Sequence, residues 1–450
     1  MSERLGLKDY SLLHFDNYIF LKNILVNKDV ENSIKSGRTP SKFNEQYWNG
    51  VYEFLTMQDV DKSIYVLKPH CLEKISEFAI EHEKTLFQAL KGDLIFSNAM
   101  TVGLSFQINR DIYINQNVFA LKIDENKYNK IFLKWYFNLV FKPNFDKIHT
   151  AKYISKDEVS KIKVPNLDIS TLQIIDEKII IIEKEIIALQ KDLLEPSQVI
   201  NQFIGEALGF DWENFENIKK EKLYTLGVSK FANNVDCRMG VRFHNNAGAY
   251  IKSFLESKTK KRIKDFIAEP IVLGKSISPS DYDDDGEYFY IAMSNIKSWA
   301  FDSEGCKKVS ASYSTNNLNK EVKKGDILLS RSGEGTIGKV ALIEDEEING
   351  IFSDFTQRIR FTRFNPLCAY YYMCSDFFQY LVYINKKGLG NNTNIFPSQI
   401  QEFPIPDWDE NKQVEIIKKI KLKLDEQTKI IKKIKEKQKI IYNIIQDAIH

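Results

Sequence analysis

The sequence predicts an α+β protein. Two similar globular halves are separated by two long coiled-coil helices packed antiparallel, giving a pseudo-twofold internal repeat. Three observations carry this prediction. A Gly-Asp hairpin pattern occurs twice, sequence matches around it recur at nearly constant spacing, and each copy leads through a proline into a long Ile/Lys/Glu-rich helical pattern.

The clearer hairpin runs from Lys324 to Ile343. Ile327 to Leu329 and Val340 to Ile343 are short β-prone runs, and Ser330-Arg331-Ser332-Gly333 to Gly338-Lys339 is the loop between them. The weaker copy has Gly92-Asp93-Leu94-Ile95, then Ser97-Asn98, then Val102 to Ile108. Gly50, Met57, Asp59 and Val60 match Gly286, Met293, Asn295 and Ile296 at an offset of 236. Gly92, Asp93 and Ser97 match Gly325, Asp326 and Ser330 at 233, and Ile154 and Pro165 match Ile395 and Pro406 at 241. Loop insertions produce such drift.

In chain order, Gly37-Arg38-Thr39-Pro40-Ser41 reads as a turn and Val51 to Met57 as a strand. Ile112 to Ile123 has a strand pattern, and Phe132 to Phe141 reads as an aromatic helix on the sheet. Strands and helices mix without βαβ alternation, which points to α+β. Leu172, Ile175, Ile179, Ile182, Ile186 and Leu189 recur at alternating spacings of three and four, a heptad seam that needs a partner helix. Asp168 or Ser170 is positioned to cap its start, Pro196 either kinks the helix or begins a new one, and Gly209 ends the pattern. The second seam, from about Asp409 to the end, contains Ile417, Ile420, Leu424, Ile431, Ile434 and Ile441, with Gln427 and Gln438 at positions that fix register. The expected division is 1–166, a first globular domain; 167–208, a helix; 209–235, a linker rich in Asn and Gly; 236–406, a second globular domain; and 407–450, a second helix.

Composition excludes several classes. The 450 residues carry 43% hydrophobic and 28% charged residues with a net charge of only +2, so any nucleic-acid binding must come from a local basic surface. Five scattered cysteines without a CxxC pair read as reduced thiols, and no apolar run approaches a membrane span, so a cytoplasmic protein without a membrane partner is expected. Gly333 to Gly338 fits GxGxxG, but Val340 onward reads as a strand where a dinucleotide site needs a helix. Asp407, Glu410 and Lys412 lie too close together for a nuclease metal site and suit a helix start. The six histidines lack zinc-site spacing. No catalytic residue, metal ligand or cofactor loop is therefore assigned.

Loop residues suited to base edges and phosphates remain. Ser97, Asn98, Lys152 and Tyr153 in the first half, and Arg331, Ser332, Lys339, Arg358, Asn391, Asn392 and Asn394 in the second, are the candidate DNA contacts. The basic run Lys258 to Lys264 is a weaker candidate, equally readable as a solvated helix face.

At this point the chain resembles the specificity subunits of type I restriction-modification systems. The resemblance rests on Gly37 to Ser41, both Gly-Asp hairpins, Ser330 to Gly333 with Thr336 to Val340, and Phe403-Pro404-Ile405-Pro406 ahead of the last helix. The first copy departs from it, with Ser97-Asn98-Ala99-Met100 in place of Ser-Arg-Ser-Gly. The resemblance implies two target-recognition domains, double-stranded DNA as ligand, two methyltransferase subunits and restriction subunits as partners, and no catalysis by this chain. S-adenosylmethionine, ATP and magnesium would then sit on those partners. A bipartite, asymmetric DNA site suits a duplicated but diverged chain. The alternatives are the recognition part of a single-chain, type IIG-like restriction-methylation system, or a coiled-coil assembly protein without DNA contact.

Overall fold

A computed structural model describes residues 17–62, 65–148, 153–221, 225–229, 238–297, 300–345, 348–389 and 392–449. The chain divides into two compact units, residues 1–193 with 429–450 and residues 194–428.

Each unit is built on the same sheet. In unit one, strand β1 (Leu94–Ser97) lies between β2 (Ser105–Gln107) and β3 (Val118–Leu121), both antiparallel to it, and Ile34–Lys35 pairs with the outer edge of β3. In unit two, β4 (Asp326–Ser330) lies between β5 (Val340–Leu342) and β6 (Thr356–Arg360), and Val272–Leu273 pairs with the edge of β6. A second sheet also repeats. Trp48–Phe54 pairs parallel with Ile112–Ile114 and antiparallel with Glu73–Ile75; Tyr288–Ile291 pairs parallel with Gly350–Phe352 and antiparallel with Lys307–Val309.

The Gly-Asp pairs now have a physical reason. Gly92 and Gly325 sit at φ of 90° and 87°, where a side chain is strained. The Asp93 carboxylate accepts the Leu90 N–H at 2.9 Å and pairs with Lys122 at 2.6 Å. The Asp326 carboxylate accepts the Lys323 N–H at 2.7 Å and pairs with Arg360 at 2.7 Å. One side chain closes the turn and ties the central strand to its neighbour in both units. The Asp59 and Asn295 match is equally structural: each caps a short turn, on the N–H of Thr56 (2.7 Å) and of Ala292 (3.0 Å).

The aromatic stretches pack as expected. Helix α1 (Lys130–Tyr136) buries Phe132, Trp135 and Tyr136, and continues through a π-helical turn at Phe137–Phe141. Tyr136 donates its hydroxyl to the Lys163 carbonyl at 2.8 Å, and Tyr372 donates to the Pro404 carbonyl at 2.6 Å. Buried phenols need such partners. These two tie each aromatic layer to the segment that enters the next long helix.

Helix α2 (Ile169–Lys191) starts at Asp168, whose carboxylate accepts the Thr171 N–H at 2.9 Å. Pro196 begins a new helix, α3 (Pro196–Leu208), which ends at Gly209 with φ 66°. The stretch expected as a linker contains α4 (Trp212–Lys220); Phe215 is fully buried among Phe210, Tyr250 and Tyr380, so the aromatic residues recruit it to the core of unit two. Helix α5 (Pro366–Cys374) and helix α6 (Asp376–Asn385) form the aromatic layer there, and α7 (Glu410–Ile449) is the last helix.

Within unit one, Leu172, Ile175, Ile179 and Ile186 are buried with Ile434, Ile441 and Ile445, and Ile182 and Leu189 are half-buried against them. Within unit two, Ile416 and Ile420 are buried, with Ile417 and Leu424 packed beside them. Within unit one Glu185 on α2 pairs with Lys437 on α7 at 2.5 Å, and within unit two the Leu194 N–H donates to the Gln427 side chain at 2.7 Å. Gln427 serves an N–H freed where α2 has ended. Ile431 is the exception among the expected seam residues, at 42% exposed. The adjacent Ile430 packs against the core of unit one in its place, so Ile431 falls on the outer face of α7. Asp176, unforeseen in the sequence, is buried on α2 with one carboxylate oxygen unpartnered. Burial pushes its carboxyl up to about 7, against the lowering influence of the Phe132 N–H and the Asn129 side chain.

Two outcomes follow for stability. Ile441→Asp buries a charge in the seam and costs several kcal/mol, whereas Ile431→Asp shifts stability by no more than about 0.5 kcal/mol; thermal melts of both variants check the difference. For Asp176, the folded state holds a proton that an unfolded carboxyl, near its usual value of about 4, has released. Its contribution is therefore fully present below pH 4 and is lost as pH rises through 7. Asp176→Asn should raise the melting temperature at pH 8 more than at pH 4, and equal gains at both would contradict this.

Candidate nucleic-acid interface

In unit two the hairpin loop after β4 is held against the segment 386–396. Arg331 accepts the Ile395 N–H on its carbonyl at 2.9 Å, Gly333 donates its N–H to Thr393 at 3.1 Å, and Ser332 bridges to Asn394. Gly333 and Gly338 have φ of 83° and 90°, and a Cβ on Gly338 would lie 2.7 Å from the Gln379 side chain. The glycines therefore serve the turn and its packing. β5 follows as a strand, so the loop has no helix N-terminus for pyrophosphate.

Glu334 is the hub of this loop pair. It binds Lys386 at 2.8 Å and Thr393 at 3.2 Å, with Arg242 at 3.9 Å. The Lys386 ammonium holds the Glu334 carboxyl below its usual range. Arg242 also donates to the carbonyls of Lys386 (3.2 Å) and Gly388 (2.8 Å), and Arg238 donates to those of Asn385 and Lys386. These residues gather cationic charge behind the loops. Sequence reasoning missed Arg238, Arg242, Glu334 and Lys386, because their association depends on two chain segments far apart. The presence of two arginines in an Asn-rich stretch was the available signal.

Unit one uses the same backbone frame with other side chains. The Ile154 N–H donates to the Asn98 carbonyl at 2.9 Å, Ala99 bridges to Tyr153, and Met100 has φ 61°. Tyr153 is 58% exposed. Beside it opens a cleft of about 800 Å³, lined by Arg38, Lys84, Gln116, Tyr153 and Lys156 among others. A Cβ on Gly37 would lie 2.0 Å from the Ile114 carbonyl oxygen, and the Thr39 N–H and hydroxyl both donate to the Gln116 side chain, at 3.0 and 2.9 Å. The Gly37-Arg38-Thr39 turn is thus pinned to the sheet and places Arg38 on the cleft wall.

Several expected contacts are corrected. Ser97 is fully buried, its hydroxyl donating to the Ala99 carbonyl at 3.1 Å and lying 3.0 Å from the Thr101 hydroxyl. Asn98 is buried and donates to the Gln116 carbonyl at 3.2 Å. Arg358 is buried, paired with Glu269 at 2.9 Å and donating to the Glu321 carbonyl. All three are buried and spend their polar groups on bonds within the fold, Ser97 and Arg358 on strands and Asn98 just past the end of β1, so they cannot reach a base edge. Arg331, Ser332, Lys339 and Asn394 are half-buried at the loop junction and Asn392 is exposed. Lys152 and Asn391 lie outside the described residues.

The described residues contain no His/Cys/Asp/Glu group that could hold a metal ion and no helix long and apolar enough to cross a membrane. Burial raises the Cys71, Cys306 and Cys368 thiols to about 12, so none of them is an activated nucleophile. The arrangement offers hydrogen-bonding and cationic groups on two rigidly framed loop systems.

Among curated proteins, none matches the chain. A family model described as "Type I restriction modification DNA specificity domain" matches residues 25–194 and 256–440. Similar solved structures include a chain from a type I R-M system studied for complex assembly and conformational transition (11% identity, 96% of this chain and 97% of that chain, TM-score 0.45). Others are a type I restriction-modification S subunit from M. genitalium (10%, 100% and 99%, TM-score 0.41) and an HsdS subunit from Thermoanaerobacter tengcongensis (10%, 96% and 96%, TM-score 0.31). The family model spans well over half of the residues, in two copies that each contain one Gly-Asp sheet and its loop, and on that ground the chain belongs to the type I restriction-modification DNA specificity family.

Proposed function

We propose that this specificity subunit reads a bipartite, asymmetric site on double-stranded DNA, one half-site per unit, and directs methyltransferase and restriction subunits to it. The carrying observation is one backbone frame used twice with different side chains: Arg331, Ser332 and Phe396 lie at its loop edge in unit two, whereas in unit one Asn98 turns inward and the exposed Tyr153 stands where unit two has Asn394. Equivalent frames place the two readers alike, and different side chains read different bases. In this reading the chain does no chemistry. S-adenosylmethionine, ATP and magnesium are held by the partners, and the target base is flipped into a methyltransferase subunit.

A surface for such partners is present on the helices of unit one. Ile174, Ile181 and Ile187 on α2, and Ile431, Ile440 and Tyr442 on α7, are exposed although the seam already covers the other faces. Apolar side chains at this density on a helix surface suit burial against further helices. Two methyltransferase subunits fit the duplicated plan.

Ile174→Lys with Ile181→Lys should keep the wild-type melting temperature and lose co-purification with the methyltransferase subunits; retained assembly would argue against this surface. The reading as a whole is tested by methylome sequencing of cells carrying the intact system. The expected motif has two specified blocks of different sequence separated by unspecified bases. A single block, or a palindrome, would overturn it.

A further inference from the structure

Four arginine side chains near the loops of unit two are tied into its frame. Arg358 and Arg360 are bound to Glu269 and Asp326, and Arg238 and Arg242 donate to backbone carbonyls of the 385–388 segment. Each of these guanidinium groups is committed to holding the fold. Arg331 differs from these four. Its backbone is fixed on both sides, by an N–H donated to the Phe355 carbonyl at 3.0 Å and a carbonyl accepting from Ile395. Its guanidinium takes no hydrogen bond or ion pair from the described residues; its Nε, like those of Arg242 and Arg358, is buried without a partner. The Cζ atom lies 5.9 Å from the centroid of the Phe396 ring, which is itself 41% exposed.

With no hydrogen bond or ion pair from the described residues, the terminal N–H groups of Arg331 remain available to a ligand. A ring beside the guanidinium restricts its rotamers and pre-orders the fork without consuming its donors. The planar fork matches two acceptors side by side, as O6 and N7 present them on the major-groove edge of guanine. A phosphate would also accept from it, and the test below separates the two acceptors. In unit one the matching position is Asn98, whose side chain turns inward to the Gln116 carbonyl, and Ser155, a helix cap, replaces Phe396.

We propose that Arg331, oriented by Phe396, is a specificity-determining residue that reads one guanine in the half-site of unit two, with no counterpart in unit one. This rests on the reading of the chain as a two-headed DNA reader. The test uses the full complex with its methyltransferase subunits and the duplex defined by its methylation motif. The half-site of unit two is assigned by exchanging residues 236–406 with those of a relative. Each guanine of that half-site is then replaced in turn by 7-deazaguanine, which removes the N7 acceptor alone.

One guanine should lose binding by roughly ten- to a hundred-fold with the wild-type complex, and the same replacement should have little effect with Arg331→Gln. Arg331→Lys, which keeps the charge and removes the fork, should methylate sites with other bases at that position. The inference is overturned if no guanine of the half-site is sensitive in the wild-type complex. It is equally overturned if Arg331→Lys keeps the motif while Arg331→Gln weakens binding uniformly, the outcome for a phosphate contact. Because the wild-type measurement needs no variant, misfolding cannot mask the answer. A complex that binds DNA without any sequence preference would instead remove the underlying reading.

Discussion

Each unit is organised around one buried carboxylate at the entrance of its central strand. Asp93 and Asp326 each close the preceding turn on a backbone N–H and bind a cation at the end of the strand alongside, Lys122 just past β3 or Arg360 on β6. Removing one partner of such a pair leaves a buried charge uncompensated, which is why the carboxylate and the cation stand or fall together. The pair fixes the register between β1 and β3 and between β4 and β6. That register sets where the chain leaves the central strand, and hence where Asn98 and Arg331 begin their loops. Reading loops are then aimed by the sheet, without depending on their own stability.

The long helices are tied to the same frame. Tyr136 and Tyr372 bond the carbonyls of Lys163 and Pro404, immediately ahead of α2 and α7, so each aromatic layer grips the segment that launches a helix. The seam supplies apolar burial, while Gln427 answers the N–H of Leu194 beyond the end of α2. Asp176 sits awkwardly in this packing: a carboxyl driven up to about 7 by burial costs stability at neutral pH. A residue kept at such a cost sits on the helix that also offers Ile174 and Ile181 outward.

The duplicated fold was legible because its punctuation is chemical. Glycines at positive φ, aspartates that cap turns and prolines that start helices leave the same marks in both copies, and even the weak Asp59 and Asn295 match proved to be the same cap. The seam was legible as a heptad, but Ile431 was not, since the neighbouring Ile430 takes the core-facing position that strict heptad spacing gives to Ile431. The readers were only partly legible. Whether a polar residue beside a strand faces in or out is decided by its neighbours across the sheet. Ser97, Asn98 and Arg358 therefore turned out to be internal supports, while Arg331 stayed available. The Glu334 cluster joins the hairpin loop to Arg242 and to Lys386, a meeting that no local pattern records.

The central claim is that two equivalent frames carry independent readers. Exchanging residues 236–406 for those of a family member with a different motif, followed by methylome sequencing, tests it most directly. The account predicts that one half-site takes the donor's sequence while the other half-site and the spacing between them stay unchanged. Alteration of both half-sites, or of neither in an assembled and active complex, would contradict it.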